Sequence, residues 1–207
     1  MTDAPSHILF ALGQIATCRR ALSWQHAHAL HLNPTQSEIL LYLARRGPSR
    51  SAAVAEALGV SGGSLTDSVH ALVAKQLLRR QPDPADQRAH RLDLTEEGRN
   101  LADRLRDAPN ALSAAVAELP PGEQGQMLRL LTGLIRGLQE RQAIPAQRMC
   151  VSCRHFRPHV HEDAARPHHC SFVNAAFGDA SLRLDCGEHE AAQPDESAAN
   201  WQRFKAA

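Results

Sequence analysis

Aromatic side chains are scarce in this 207-residue chain: five Phe, two Trp and one Tyr make up 4% of it. That shortage excludes a sheet sandwich filled by rings, and the many Ala and Leu residues suit helices packed through aliphatic stripes. No run reaches the roughly 18 consecutive apolar residues that a membrane-spanning helix needs. Residues 1–30 carry His7, Arg19, Arg20 and His26 where a secretory signal would place its apolar core. A cytoplasmic protein without membrane contact is expected. An excess of one charge is also missing, with 23 Lys and Arg against 22 Asp and Glu. A uniformly basic protein is thereby excluded, although nucleic-acid binding depends on where charge sits rather than on its total. Between Arg45 and Arg91 there are eight basic residues and four acidic ones, a local excess of four.

The composition is otherwise that of a globular protein, 43% apolar and 22% charged. Apolar residues at Ile8, Leu9, Leu12, Ile15, Ala16 and Leu22 follow a helical period over residues 6–31, with Ser6 as N-cap. Asn33-Pro34 breaks the pattern, and Thr35 with Glu38 has the spacing of a capping box for a second helix that ends at Gly47-Pro48. Ser51 opens a short third helix that stops at Gly59, and Ser61 caps a fourth with Leu65, Val69, Leu72 and Val73 facing inward. A short helix, a tight Gly-containing turn and a second amphipathic helix form the unit that presents its second helix to a DNA major groove.

Leu77 to Gln81 and His90 to Leu94 read as two strands joined by the Pro-containing tip 82–87. Thr95 caps the next helix, which Pro109 interrupts, and Glu123 to Arg141 form a last helix with apolar residues at i, i+3, i+4 spacing. The fold class is therefore mainly α, an α+β winged helix with a two-stranded wing and long terminal helices. Three segments are expected: residues 1–146 as the DNA-binding domain, 147–190 as a Cys/His-rich extension with metal-binding character, and 191–207 as a polar, mobile tail.

The order helix, helix, short helix, turn, helix, hairpin, long helix resembles the MarR family of winged-helix regulators over about residues 6–141. The most specific stretch is LTDSVHALVAKQLLRRQPDPADQRAHRLDLTEEG, from Leu65 to Gly98. The resemblance implies a homodimer joined through its first and last helices, with helix four in the major groove of double-stranded DNA and the wing in the minor groove. It makes Arg88 the minor-groove arginine and Asp86 the acid that orients it. An Arg there gains from the focused negative potential of a narrow A·T-rich groove. The resemblance also assigns Ser61, Ser64 and Thr66 to phosphates or bases, and Arg79 and Arg80 to the backbone. Where the family implies an arginine, an acid and an arginine, this chain has Asp67, His70 and Ala71. Its recognition helix has lost positive charge: either Asp67 accepts from a cytosine amino group or DNA affinity is modest.

Cys150 and Cys153 form a CxxC, followed after sixteen residues by Cys170 and after fifteen more by Cys186. In a reducing compartment such clustered thiols read as metal ligands rather than disulfides. Cys186-Gly187-Glu188-His189 offers a second pair at the same spacing, so His189 or His169 competes as the fourth ligand. Zinc stands first, because about forty residues with almost no core need a staple. An iron–sulfur cluster held by all four cysteines comes second, and thiols without metal third. The lone Cys18 on the first helix reads as a buried apolar filler.

A regulator, most simply a repressor, follows, released from a palindromic operator by a small-molecule effector or by a metal or redox change in the extension. The rivals are a metal-dependent enzyme, for which Glu188 or Glu162 could act as base but no catalytic motif surrounds them, and a protein-interaction adaptor on a winged-helix scaffold.

Overall fold

In the computed structural model, which describes residues 3–206, the chain opens with α1 (Ala4–Ala29), begun by Pro5 in its first turn. The next helix, α2 (Pro34–Arg46), is capped two residues earlier than Thr35 and Glu38 suggested. The Asn33 side chain accepts from the Gln36 N–H at 2.8 Å, and the Gln36 side chain accepts from the Asn33 N–H at 3.2 Å. Pro34 decides this, since its fixed φ suits the first helical position and its missing N–H costs nothing there. β1 (Ser49–Arg50) leads into α3 (Ser51–Leu58), which stops at Gly59 with φ +64, a left-handed conformation that glycine adopts without steric cost. Ser61 then accepts from the Ser64 N–H at 3.2 Å and starts α4 (Gly62–Ala74).

β2 (Leu78–Asp83) and β3 (Asp86–Leu94) form the expected hairpin. With β1 they make an antiparallel sheet in the order β1-β3-β2, and the register shifts between Pro82 and Asp83. α5 (Glu96–Arg106) is capped by Thr95, and the chain breaks before Pro109 to resume as α6 (Ala111–Ala117). Two compact units divide between Ala115 and Val116. The core of the first comes from Ile39, Leu40 and Leu43 of α2, Val54 of α3, Leu65, Val69 and Leu72 of α4, and Leu78, Leu92 and Leu94 at the base of the wing. Val73, expected inward, is partly exposed. Most of α1 is exposed as well, Cys18 included, because only Ala27 near its end is buried. Cys18 is therefore not the core filler that its setting suggested.

The second unit starts from α7 (Pro121–Glu140), which carries Leu128 and Ile135 into a core of Met149, Val151, Phe156, Leu182 and Phe204. Around it run a single 3-10 turn at Cys150–Ser152, the strands β4 (Phe156–Arg157), β5 (His168–Cys170) and β6 (Ala175–Phe177), and a second 3-10 turn at Asp179–Ser181. The strands form an antiparallel sheet in the order β4-β5-β6. The expected mobile tail is structured over its described residues, 191–206. Pro194–Lys205 form α8, and Phe204 is buried because its ring meets those of Phe156 and His168 while Trp201 stacks on it. Arg136 binds the outer side: its guanidinium lies 4.6 Å from the Trp201 ring centre and donates to the Val151 carbonyl at 3.1 Å. The expected boundary at residue 146 thus differs from the structural one, since the last long helix packs with the cysteine-bearing segment. Among the described residues no helix is long and apolar enough to cross a membrane.

Gly98 is the position where the first unit tolerates no side chain, since a Cβ there would lie 2.1 Å from the Leu77 carbonyl oxygen. Gly98→Ala is expected to destabilise this unit by about 1–3 kcal/mol in urea unfolding, the usual cost of forcing atoms into a packed core. Gly63→Ala, with open space around its new Cβ, is expected to be neutral or slightly stabilising.

Candidate DNA-binding surface and a four-thiol cavity

Burial of Leu65, Ser68, Val69 and Leu72 turns the opposite face of α4 outward, and that face carries Ser64, Thr66, Asp67 and His70. Two of the hydroxyls expected to meet DNA also hold the helix start: Ser61 as its cap, and Thr66 by donating to the Gly62 carbonyl at 2.8 Å. Both keep acceptor capacity for a partner. The nearest cation in sequence, Lys75, folds back to donate to the His31 carbonyl at 2.6 Å. The exposed face of α4 is therefore polar and carries no Lys or Arg.

In the wing, the organising acid is Asp83 rather than Asp86. Its side chain is fully buried, accepts from the Ala85 N–H at 3.0 Å, and pairs with Arg91 at 2.9 Å and with Arg50. The Ala85 N–H together with the Arg91 and Arg50 guanidinium groups holds the Asp83 carboxyl far below the usual carboxylate range. Asp86, expected to orient the Arg88 side chain, instead accepts from the Arg88 backbone N–H at 3.1 Å and lies 3.8 Å from Arg50. The register shift between Pro82 and Asp83 is the reason, since it turns Asp83 inward beneath the tip. Arg88 is exposed, and its side chain makes no ion pair among the described residues.

Arg79 and Arg80 part ways. Arg79 stands opposite Asp93 in the ladder and binds it with two nitrogens, while Arg99 reaches the same carboxylate at 3.5 Å. Arg80, on the next position, is exposed and makes no ion pair among the described residues. Of the wing arginines, Arg79 and Arg91 are paired, and Arg80 and Arg88 are the two without an ion pair among the described residues. Sequence reasoning missed Asp83, Arg50, Arg91 and Asp93 as a set, because the pairing depends on strand register.

In the second unit Cys150, Cys153, Cys170 and Cys186 all line one cavity of about 140 Å³, whose walls include Phe156, Phe172, Val173 and Phe177. The cysteine positions are set by the backbone. The Cys150 N–H donates to the Arg183 carbonyl at 2.9 Å, the Arg183 N–H to the Cys150 Sγ at 3.3 Å, and the Cys186 N–H to the Arg148 carbonyl at 2.9 Å. Burial pushes the Cys150 thiol up, against the Arg183 hydrogen bond, and the thiols of Cys186, Cys153 and Cys170 add to the rise. The two histidines expected to compete for a ligand position stand elsewhere. His189 Nε2 lies 3.0 Å from the Ser152 hydroxyl, and His169 Nδ1 lies 3.2 Å from His161 Nε2. Among the described residues no three Cys, His, Asp or Glu side chains are grouped as ligands of one metal ion.

His168 is the polar centre of this unit and was not singled out by the sequence. It is fully buried among Phe156, Phe177 and Phe204, its Nδ1 accepts from the His159 N–H, and its Nε2 donates to Asp179 at 2.8 Å. Burial pushes this imidazole below its usual range, although Asp179 pulls the other way.

The MarR family profile matches residues 32–89. Over 136 residues the chain is 30% identical to the HTH-type transcriptional repressor NicR of Pseudomonas putida, an alignment covering 65% of this chain and 84% of that protein. It is also 30% identical over 100 residues to the uncharacterized HTH-type transcriptional regulator YkoM of Bacillus subtilis, covering 48% of this chain and 65% of the relative. Among solved structures, the transcriptional regulator SlyA is similar with a TM-score of 0.55 at 21% identity, covering 65% of this chain and 95% of that one. RV1404 from Mycobacterium tuberculosis has a TM-score of 0.54 at 24% identity, with coverage of 66% and 95%. These two share the fold.

Two outcomes follow from the geometry. Asp83→Ala is expected to speed amide exchange at residues 84–86, where Ala85 loses its acceptor, while amides of α2 stay protected. The unfolded chain binds a proton on His168 near pH 6.5, whereas the folded unit takes it up only at lower pH, because burial disfavours the charged imidazole. Stability contributed by His168 is therefore present above about pH 6.5 and falls below it, by at most about 1.4 kcal/mol per pH unit. Thermal unfolding of the second unit from pH 7.5 to 5 measures the slope, and His168→Gln is expected to flatten it by one proton.

Proposed function

The chain belongs to the MarR family of transcriptional regulators, and from that premise we propose that it is a homodimeric repressor that binds a palindromic operator and releases it when an effector binds. The observation that carries this reading is the winged helix with a polar, exposed α4 and an exposed arginine, Arg88, that makes no ion pair among the described residues. The name of the relative NicR supports repression rather than activation. On an operator the two α4 helices of a dimer would lie roughly 34 Å apart in successive major grooves. Dimerisation is supported by apolar surface left uncovered on two helices. α1 exposes Ile8, Leu9, Phe10 (68%) and Ile15, and α7 exposes a stripe of Met127, Leu130 (68%), Leu134 and Leu138.

The electrostatics set the style of binding. With no cation on α4, affinity would come from the wing and strand arginines, and base reading from Thr66, Asp67 and His70. Asp67 would accept from a cytosine amino group. For release, a cleft of about 630 Å³ between α1, α2 and α3 offers a site for a small molecule, with Trp24 as an apolar wall and Arg19, Arg20 and Glu38 as polar contacts. The second route is a change at the four-thiol cavity passed to α7, because the turn at Asp179–Ser181 packs on that helix and the Val151 carbonyl in the other turn accepts from its Arg136. Either effector acts only by binding the DNA-competent and DNA-free dimers with different free energies.

A duplex selected from a random pool tests the proposal by gel shift. Arg88→Ala is expected to weaken binding about tenfold or more, within the ~1–3 kcal/mol of a groove-reading arginine, and to lower the salt dependence by about one counterion. Asp67→Ala is expected to relax preference at a single base pair. Binding to no duplex, or binding indifferent to Arg88, would favour the protein-interaction adaptor instead.

A further inference from the structure

Four cysteines from three stretches of chain meet at one cavity, and the size of that cavity limits what they can hold. A single zinc ion bonded at about 2.3 Å to four thiolates draws the sulfurs to roughly 3.8 Å of one another and leaves no space between them. Here the four thiols border a cavity of about 140 Å³. One water needs only ~10–15 Å³ by the same measure, so the cavity takes a group of many atoms. No three Cys, His, Asp or Glu side chains among the described residues are grouped for a single ion.

The chemistry of the walls narrows the occupant further. The soft thiolates that converge here suit zinc, copper(I) or iron–sulfur clusters. His155, which also lines the cavity, has both ring nitrogens engaged, Nδ1 with Ser171 and Nε2 with Glu190. Phe156, Phe172, Val173 and Phe177 make much of the remaining wall apolar, with Phe172 and Val173 also facing solvent. Two of the sulfurs already receive hydrogen bonds from Arg183, its backbone N–H reaching Cys150 at 3.3 Å and its guanidinium reaching Cys186 at 3.8 Å. Donors aimed at ligating sulfurs are the means by which proteins stabilise and tune iron–sulfur clusters. The case for a zinc staple also loses its premise, because α7 and α8 give this segment an apolar core of its own.

We propose that Cys150, Cys153, Cys170 and Cys186 ligate a [4Fe–4S] cluster in this cavity, one thiolate to each iron, with Arg183 supplying hydrogen bonds to the cluster's sulfur ligands. As each Fe–S bond forms, the S–H proton of that cysteine leaves to solvent. The site is independent of the DNA-binding reading, and it supplies the chemistry of the second release route: a cluster lost or altered by an oxidant would free the turn at Cys150–Ser152 that packs on α7.

The test is anaerobic purification of the full chain, followed by absorption spectroscopy and by iron, acid-labile sulfide and zinc analysis. Four irons and four sulfides per chain with a broad visible band are expected. Cys170→Ser and Cys186→Ser are expected to lose at least half of the iron, and Cys18→Ser, altered on an exposed helix of the other unit, to keep all of it. To separate loss of ligand from loss of fold, each serine variant is also melted and assayed for binding to the selected duplex. A colourless protein with stoichiometric zinc, or one that takes up neither metal when ferrous iron, ferric iron and sulfide are supplied together, would overturn the proposal. Two irons and two sulfides would overturn the cluster assignment. Because none of the metal readouts uses DNA, failure of the repressor reading leaves them unchanged.

Discussion

The DNA-binding unit depends on one buried carboxylate. Asp83 gathers the Ala85 N–H at the wing tip, Arg91 on β3 and Arg50 on β1, so one side chain ties all three strands of the small sheet. A charge taken out of water in this way is costly unless every lone pair finds a donor, and here the donors come from three separate places in the chain. The arrangement also spends two of the segment's eight basic residues on structure. The local excess of positive charge visible in the sequence therefore overstates what faces DNA. Arg79 is engaged by Asp93 and Lys75 by the His31 carbonyl, which leaves Arg80 and Arg88 as the wing arginines with least carboxylate contact. A wing held rigid by Asp83 and tipped by Arg88 suits a reader of groove shape more than of base sequence.

The second unit solves a different problem with the same kind of device. Its strands are two or three residues long, too short to bury a core alone, so the unit borrows apolar side chains from α7 and α8 and fixes a neutral histidine at the centre of its few rings. The His168–Asp179 pair joins β5 to the second 3-10 turn, as Asp83 joins the strands of the wing. Around this frame the four thiols are placed by backbone hydrogen bonds that need no ligand. α7 has two jobs: Leu128 and Ile135 close this core, while Met127, Leu130, Leu134 and Leu138 are left for a partner.

Much of the fold was legible in the sequence because it is written in local terms. Helical periods, the Gly59 turn, the Ser61 and Thr95 caps and the break at Pro109 each involve residues within a few positions of one another. The exposed residues of α4 follow from the same periodicity once Leu65, Val69 and Leu72 are recognised as core. The miss at the α2 cap was local too, and a closer weighing of Pro34 would have moved the cap from Thr35 to Asn33. α8 was harder to read. Its apolar content amounts to little beyond Trp201 and Phe204, which look like stray rings until Phe156, His168 and Arg136 are brought to them from elsewhere.

The sequence by itself determined the winged-helix order, the basic character of the wing and the membership of Cys150, Cys153, Cys170 and Cys186 in one set. Which acid organises the wing was decided only by tertiary structure, because Asp83 and Asp86 are equivalent until the register shift buries one of them. The same holds for the thiols. Spacing along the chain says that cysteines can meet, and it is the folding of the chain that brings all four to the wall of one cavity.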